Sequence, residues 1–231
     1  MNNLSILCST ARVMKLANIL DSKSSAARLE GSSPSSGTNN NEFLCHLAYI
    51  TGVAIGDGNL SNPNGRSVRL RVSCDTKYSE IIEEIRSSLK IILPENKTSL
   101  IKKKGRCVDI SCYSRNWEKW LGWKHDKGPK YKQIKQIPSW IKNNSIYSKY
   151  CLKGLFQTDG SLYFDRGYTM VNFVTIIPCL SKEVLEMIEK LGFKPKLYTL
   201  KIRGLMRHKK YTVRVSKDAK DFIKAIRLTK T

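Results

Sequence analysis

The sequence contains few acidic residues and no long apolar run. Its 231 residues include 19 Asp or Glu against 41 Lys or Arg, which gives a formal net charge of +22. So large a positive charge opposes compaction and is typical of proteins with a polyanionic partner, and nucleic acid is favoured over an anionic membrane surface. No apolar stretch reaches the roughly 18 residues that a membrane-spanning helix needs. We therefore expect a nucleic-acid partner and no membrane.

Paired cysteines are absent as well. The seven cysteines are scattered and none forms a Cys-x-x-Cys pair, which argues against a zinc ribbon or finger. An odd number without framework spacing is typical of free thiols in a reducing compartment. We expect a cytoplasmic or nucleoid-associated protein. An organelle (mitochondrion or chloroplast) is the alternative, because the N-terminal stretch is basic and rich in Ser.

Composition divides the chain into four parts. Residues 1–40 include a stretch rich in Ser, Gly and Asn, which predicts a flexible N-terminal extension. Residues 41–121 and 148–231 carry the periodic patterns of ordered structure. Residues 122–147 form a basic linker, in which Pro129 and Pro138 argue against one continuous helix.

The two ordered parts show the same order of elements. In the first, helical spacing gives way to two strands, a second helix, two strands around Gly105 and a short helix. In the second, a helix precedes two strands around Gly167. A further helix has Ser181 as its predicted N-cap and Gly192 just past its end, and two strands and a last helix follow. An internal αββαββα repeat explains this order, because two copies can bury a face together that neither buries alone.

Each repeat begins with an apolar helix that ends in Asp followed by Gly. Asp57 and Asp159 lie 102 positions apart, at the same place in each repeat. Small residues four apart precede them on one helix face, namely Gly52 and Gly56 in the first copy and Gly154 and Thr158 in the second. Such faces let two helix backbones approach closely. We therefore expect the helices to pair at Gly52 and Gly154 and to place both carboxylates side by side.

Two adjacent carboxylates at helix C-termini destabilise each other. Each faces the negative end of a helix dipole, at about 0.3–1 kcal/mol, and their repulsion raises a pKa unless a cation intervenes. Mg²⁺ suits such a site, because it is usually held by one or two carboxylates together with waters and substrate phosphates. One Asp–Gly pair indicates only a helix end and a turn. Two at matching positions in a basic chain favour a metal site.

The two helix ends resemble the motif of the LAGLIDADG homing endonucleases, of the single-chain, two-motif type. The nonapeptides are ITGVAIGDG at Ile50–Gly58 and LKGLFQTDG at Leu152–Gly160. In this alignment Gly52 and Gly154 occupy the position of the motif's first Gly, and Asp57 and Asp159 occupy that of its second acid. The motif's first acid is replaced by Ile55 and by Gln157. The resemblance covers residues 43–228.

The resemblance implies a site-specific endonuclease that breaks both strands of a long DNA target by metal-dependent phosphodiester hydrolysis, leaving 3′ overhangs. It implies an α+β monomer in which each repeat forms a four-stranded antiparallel sheet with helices packed behind it, and the two sheets form a saddle on double-stranded DNA. Asp57 and Asp159 would be catalytic and would share two or three Mg²⁺ ions, with Mn²⁺ as a substitute. The backbone carbonyls of Gly56 and Thr158 would be further ligands.

Polar side chains supply candidates for the rest of the site. Residues that could order water around the scissile phosphate are Thr76, Lys77, Lys103 and Lys201. Lys and Arg bind phosphate, and Arg and Asn also read base edges in the major groove. The predicted DNA-binding residues are Arg66, Arg69, Arg71, Lys102, Lys104, Arg106, Asn172, Lys201, Arg203, Arg207, His208, Lys209 and Arg214.

Two other functions use the same fold. A maturase would bind intron RNA and assist splicing, which requires the basic surface but not the paired acids. The retention of Asp57 and Asp159 therefore weighs against an exclusive maturase. A catalytically silent DNA-binding protein would be expected to lose one acid or to gain a recognition module, and the sequence shows neither.

Overall fold

The computed structural model describes residues 37–134, 136–200 and 208–230. The predicted N-terminal extension therefore lies almost entirely outside the described residues. The first repeat consists of α1 (Gly37–Asp57), β1 (Gly58–Ser61), β2 (Val68–Asp75), α2 (Ser79–Ile92), β3 (Thr98–Lys102), β4 (Cys107–Ser114) and α3 (Trp117–Leu121). No helix within these ranges is long and apolar enough to cross a membrane.

The second repeat has the same order and follows a linker with two short helices. The linker contains α4 (Lys130–Gln133) and α5 (Ser139–Lys142). The repeat consists of α6 (Ser145–Thr158), β5 (Gly160–Asp165), β6 (Tyr168–Thr175), α7 (Pro178–Lys190), β7 (Lys196–Leu200), β8 (Lys210–Val215) and α8 (Ala219–Ala225). The αββαββα order that the sequence predicts is confirmed in both copies.

Prolines and an asparagine N-cap mark the starts of the helices in and directly after the linker. Pro129 and Pro138 are the N-cap residues of α4 and α5, so each proline precedes a short helix in the linker. Asn144 caps α6, because its side-chain oxygen accepts hydrogen bonds from the backbone N–H groups of Ile146 and Tyr147 at 2.9 and 3.2 Å. Helix α6 therefore starts three residues before the predicted boundary of the second repeat.

Each repeat contains one four-stranded antiparallel sheet, with strand order β1-β2-β4-β3 in the first and β5-β6-β8-β7 in the second. Helices α1, α2 and α3 cover one face of the first sheet, and α6, α7 and α8 cover one face of the second. On the covered face Val68, Leu70 and Val72 are buried, as the alternation in β2 predicts. We call the opposite face of each sheet its outer face.

Helices α1 and α6 join the two repeats by direct backbone contact. A Cβ atom added to Gly52 would lie 3.0 Å from the carbonyl carbon of Cys151 and 3.0 Å from the amide nitrogen of Leu155. One added to Gly154 would lie 2.7 Å from the amide nitrogen of Val53. The two helix axes can approach this closely because neither glycine carries a side chain.

A buried polar network also crosses this interface, and it is not symmetric. The Tyr49 hydroxyl donates to Gln157 Oε1 at 2.7 Å, and Gln157 Nε2 donates to Glu84 Oε2 at 3.0 Å and to Thr229 Oγ1 at 3.1 Å. The Lys153 ammonium forms an ion pair with the same Glu84 carboxylate. At the position equivalent to Gln157, the first repeat has the buried apolar Ile55.

One predicted helix boundary is wrong. Ser181 is not the N-cap of α7, because the helix already begins at Pro178 and its N-cap residue is Ile177. Proline fits the first turn of a helix, where its missing N–H is not needed. The Ser181 hydroxyl instead donates to the Pro178 carbonyl at 2.8 Å. The prediction at the other end holds, since Gly192 has φ +90 just past the helix.

Candidate metal centre and nucleic-acid interface

The carboxylates of Asp57 and Asp159 lie together at one end of the α1–α6 pair. Asp57 is the last residue of α1, and Asp159 follows α6 as its C-cap, with its backbone N–H donating to the Leu155 carbonyl at 2.9 Å. A Cβ atom on Gly56, the neighbour of Asp57, would lie 3.3 Å from Asp159 Oδ2. The second carboxylate therefore rests against the end of the first helix.

The pKa of both carboxyl groups is raised above its ordinary value, mainly by burial. Burial, followed by the negative charge of Asp57, raises the pKa of Asp159 to about 6, although Lys130 and Lys230 oppose the shift. Asp57 is exposed at the end of α1, and partial loss of hydration raises its pKa although the same two lysines oppose the shift. Two neighbouring negative charges favour the binding of positively charged groups beside them.

Two lysines occupy equivalent positions beside the pair. The Lys130 ammonium donates to the carbonyl oxygens of Ala54 at 3.1 Å and Gly58 at 2.9 Å, and also to that of Gly56. In the second repeat, the Lys230 ammonium donates to the carbonyls of Thr158 at 3.0 Å and Gly160 at 2.7 Å. Burial lowers the pKa of both lysines, and the two aspartates partly offset that shift.

Local structure fixes Lys130 in the linker. It is the first residue of α4, directly after Pro129. The Gln133 amide closes the preceding loop, since its Nε2 donates to the carbonyls of Lys124 at 3.0 Å and Gly128 at 2.8 Å, and its Oε1 accepts from the Lys124 N–H at 2.9 Å. This arrangement holds the loop in the shape that directs Lys130 at the helix ends.

The oxygen atoms at the helix ends suit a hard divalent cation. The carbonyls of Gly56 and Thr158 and the carboxylates of Asp57 and Asp159 are all oxygen donors, which Mg²⁺ and Ca²⁺ prefer. The lysine ammonium groups already bind the two carbonyls as cations. The residues present therefore fit a metal at the position that the sequence predicts.

The sequence patterns do not single out Lys130 and Lys230. Both lie outside the two motifs, 73 residues after Asp57 and 71 residues after Asp159. The nearly equal spacing within the repeats is the one signal that could have identified them. The segments that carry them, a proline-containing linker and the stretch after α8, have no pattern of their own.

The described residues predicted to order water make contacts of their own, and one of them, Lys77, lines a pocket together with Lys230. The Lys103 ammonium pairs with Asp109 at 2.7 Å, and the Lys77 ammonium lies 4.5 Å from the centre of the Tyr78 ring. The Thr76 N–H donates to the Arg106 carbonyl at 2.9 Å. Lys201 lies outside the described residues. Their catalytic roles stay predictions.

The outer face of the first sheet carries arginines oriented by polar neighbours. Arg69 Nε donates to Ser61 Oγ at 3.2 Å, and Arg71 Nε lies 3.8 Å from Asp109 Oδ2. Burial acts to raise the pKa of Asp109, but hydrogen bonds from Lys103 and Ser73 and nearby positive charges hold it below its ordinary value. Asp109 therefore remains ionised and orients the basic side chains around it.

The outer face of the second sheet holds a row of linked side chains. Asn172 Nδ2 donates to the Tyr163 hydroxyl at 3.1 Å, and Arg214 Nε donates to Asn172 Oδ1 at 3.1 Å. The Arg214 guanidinium lies 5.0 Å from the centre of the Tyr198 ring. Asn172 is thus a buried link between neighbours, whereas the guanidinium of Arg214 is oriented for a further contact.

The remaining predicted DNA-binding residues are exposed wherever the structure describes them. Those residues are Arg66, Lys102, Lys104, Arg106, His208 and Lys209. Arg66 lies in the β1–β2 connection, and Lys102, Lys104 and Arg106 lie at the β3–β4 hairpin. Lys201, Arg203 and Arg207 lie outside the described residues.

One other group of potential metal ligands occurs in the part of the chain that the structure describes, formed by Glu118, His125 and Asp126. Glu118 Oε1 accepts from the His125 backbone N–H at 2.8 Å and lies 2.6 Å from its Nδ1. These bonds hold the loop after α3, so the structural role of the cluster explains its geometry.

Comparisons with known proteins agree with this architecture. The model of the LAGLIDADG-like domain family matches residues 147–227, which is the second repeat. No curated protein sequence matches the chain significantly.

Solved structures match over both repeats. The chain is similar to the homing endonuclease I-DmoI in complex with DNA and Mn, with TM-score 0.58 and 17% identity over 82% of this chain and 99% of that one. It is also similar to a mesophilic variant of I-DmoI, with TM-score 0.57 and 16% identity over 80% and 96% of the two chains.

A second group of similar structures comes from another protein. The N-terminal LAGLIDADG domain of DUF199/WhiA matches with TM-score 0.54 and 12% identity, over 94% of this chain and 93% of that one. At these identities the structures establish the fold alone. Residues 147–227 match the LAGLIDADG-like domain family, and the chain as a whole has a fold of two LAGLIDADG repeats in one chain.

Proposed function

We propose that this chain is a site-specific endonuclease that breaks both strands of a DNA target with the help of divalent metal ions held between Asp57 and Asp159. The observation that carries the proposal is the pair of carboxylates at the α1–α6 end, each beside a carbonyl that already binds a lysine ammonium. Two repeats supply the same set of groups, as cleavage of two strands requires.

The metal would be held by the two carboxylates and by the carbonyls of Gly56 and Thr158. A bound Mg²⁺, or Mn²⁺ in its place, supplies stabilisation of the phosphate oxygens and a bound water of lowered pKa. Lys130 and Lys230 would provide positive charge beside each scissile phosphate, because their ammonium groups lie at the helix ends from which the carboxylates emerge.

The two outer faces would bind the flanking DNA. Their arginines and the exposed basic residues around them contribute to a net charge of +22, which favours a polyanionic partner. The similar I-DmoI structure is a complex with DNA and Mn, which supports this partner and metal class. A single chain carrying both repeats supports action as a monomer.

Cleavage of a randomised duplex library in Mg²⁺ tests the proposal, with the Asp57→Asn protein run in parallel. Cutting at one sequence by the parent, and none by the variant, would establish the endonuclease and reveal its target together. Selective binding of one duplex without any cutting by the parent would instead indicate a catalytically silent DNA-binding protein. Binding that does not weaken as salt rises would contradict the phosphate contacts.

A further inference from the structure

The outer faces of the two sheets differ in chemistry. Strand register assigns the residues of each outer face, because directly paired residues lie on the same side. On the first sheet this face is mostly polar and includes Asn59, Ser61, Arg69, Arg71, Ser73, Ser99, Asp109 and Ser111, with Ile101 and Tyr113 as its large apolar residues. On the second sheet large apolar residues are more numerous than on the first.

Four large side chains on the second outer face are exposed. They are Tyr163, Tyr168, Tyr198 and Leu200, and their exposed fractions range from 38% to 66%. Tyr163 and Tyr198 lie on either side of the Asn172–Arg214 pair, whereas Tyr168 and Leu200 lie at opposite ends of the sheet, so exposed apolar groups are distributed over the whole face. The face is basic on balance, since Lys196, Lys210 and Arg214 lie on it with one acidic residue, Asp165.

Side-chain contacts also link the four strands across this face. Asn172 ties Tyr163 to Arg214, and the Arg214 guanidinium in turn lies over the Tyr198 ring, so the contacts span strands β5, β6, β8 and β7. Ordered aromatic side chains lose little conformational entropy when they bind. The face is thus prepared for a ligand that offers both negative charge and small apolar groups.

We propose, on the basis of the function proposed above, that the second sheet recognises its DNA half-site through the C5-methyl groups of thymine, whereas the first sheet recognises its half-site by hydrogen bonds. Thymine is the base that presents a methyl group in the major groove, where apolar side chains can contact it. The arginines and serines of the first outer face are hydrogen-bonding groups that suit the other base edges. The two halves of the target therefore differ in the chemistry by which they are read.

The strands fix how much DNA this surface can cover. Strand β6 has eight residues, which span about 26 Å. At about 3.4 Å per base-pair step, this length corresponds to roughly eight base pairs. The sensitive thymines are therefore expected within one contiguous half of the target.

Replacement of thymine by deoxyuridine tests the proposal, because it removes the methyl group and leaves the base pair intact. The target is first obtained from the library, and affinity is measured in EDTA for duplexes that carry deoxyuridine in one half-site at a time. We expect one half-site to lose about fourfold in affinity for each contacted methyl. The other half-site is expected to change by less than about twofold in total.

Substitutions then assign the sensitive half-site to the second sheet. In the Leu200→Ser and Tyr168→Ser proteins, the loss caused by deoxyuridine should shrink, because the contact is already missing. Ile146→Ser is the matched control: Ile146 is 52% exposed, as is Leu200, but it lies in the first turn of α6, about 18 Å along the helix from Thr158. That control should respond to deoxyuridine as the parent does.

Several outcomes would overturn the inference. If deoxyuridine lowers the affinity of neither half-site, the second face does not contact thymine methyl groups. The same holds if neither Leu200→Ser nor Tyr168→Ser reduces the loss of affinity that deoxyuridine causes. Loss of dimers on Leu200→Ser, measured by sedimentation, would show that the face binds a second copy instead. Failure to obtain any specific target would count against the proposed function itself, and so the two failures are distinguishable.

Discussion

The Cα of Gly52 lies against the backbone of Cys151, at a separation where an added Cβ would be 3.0 Å from the Cys151 carbonyl carbon. Gly52→Ala should therefore destabilise the protein, although Ala is ordinarily the better helix former by about 1 kcal/mol. Forced overpacking typically costs about 1–3 kcal/mol. Urea unfolding of Gly52→Ala and Gly154→Ala measures this loss.

Ser87→Ala provides the control for helix propensity, because Ser87 is exposed on α2. Its effect should stay within about 0.5 kcal/mol. Wild-type stability in Gly52→Ala would mean that α1 and α6 do not approach as closely as the structure shows.

Replacement of Asp57 or Asp159 should abolish cleavage without a matching loss of DNA affinity or of stability. Asp57→Asn or Asp159→Asn is expected to abolish double-strand cleavage while DNA affinity in EDTA changes by less than about threefold. The same variants should be more stable than the parent without metal near pH 7.5, because burial and repulsion by Asp57 raise the pKa of Asp159 to about 6, and either substitution removes part of that unfavourable free energy. A gain of about 1 kcal/mol would raise Tm by about 2–4 °C. Full cleavage by either variant would exclude the proposed site.

Loss of a site lysine should slow cleavage more than it weakens binding. We expect Lys130→Met and Lys230→Met to lower the single-turnover cleavage rate by about 10²–10³, as removal of one charge-stabilising donor does in other enzymes. Lys132→Met is the control, since Lys132 is exposed in the same short helix α4. Equal rates for the Lys130 and Lys132 variants would show that the carbonyl contacts of Lys130 serve only to hold the linker.

Metal affinity should depend on pH through Asp159. A carboxyl group with a pKa of about 6 in the metal-free protein must lose its proton to bind a cation. The affinity for Mn²⁺, measured by calorimetric titration between about pH 5 and pH 8, should therefore fall by up to about tenfold per unit below pH 6. The same raised pKa makes the metal-free protein lose stability as pH rises through about 6. Mn²⁺ affinity that is constant from pH 5 to pH 7 would contradict this titration.

The sequence alone predicts the order of elements and the positions of the two acids. Alternation in Val68, Leu70 and Val72 gives β2 directly, and the matching Asp–Gly ends identify Asp57 and Asp159. The approach of Lys130 could not be predicted, because it depends on the Gln133 hydrogen bonds that shape a loop without periodicity. The predicted N-cap at Ser181 is wrong because a proline three residues earlier already starts the helix.

The unsymmetrical network around Gln157 has a consequence for how the two repeats recognise each other. Two copies of the second repeat would place two Gln157 amides in a buried interface where Cys151 takes the position of Tyr49, with no phenol to bond them. Two copies of the first would set two Tyr49 hydroxyls opposite two Ile55 side chains. Either homodimer would bury unpaired polar groups, at about 1–3 kcal/mol each. The molecule is in this sense a fused heterodimer, because each repeat pairs with the other more favourably than with a copy of itself. A chimaera made of one repeat twice would first need substitutions that give the polar groups of this interface new partners.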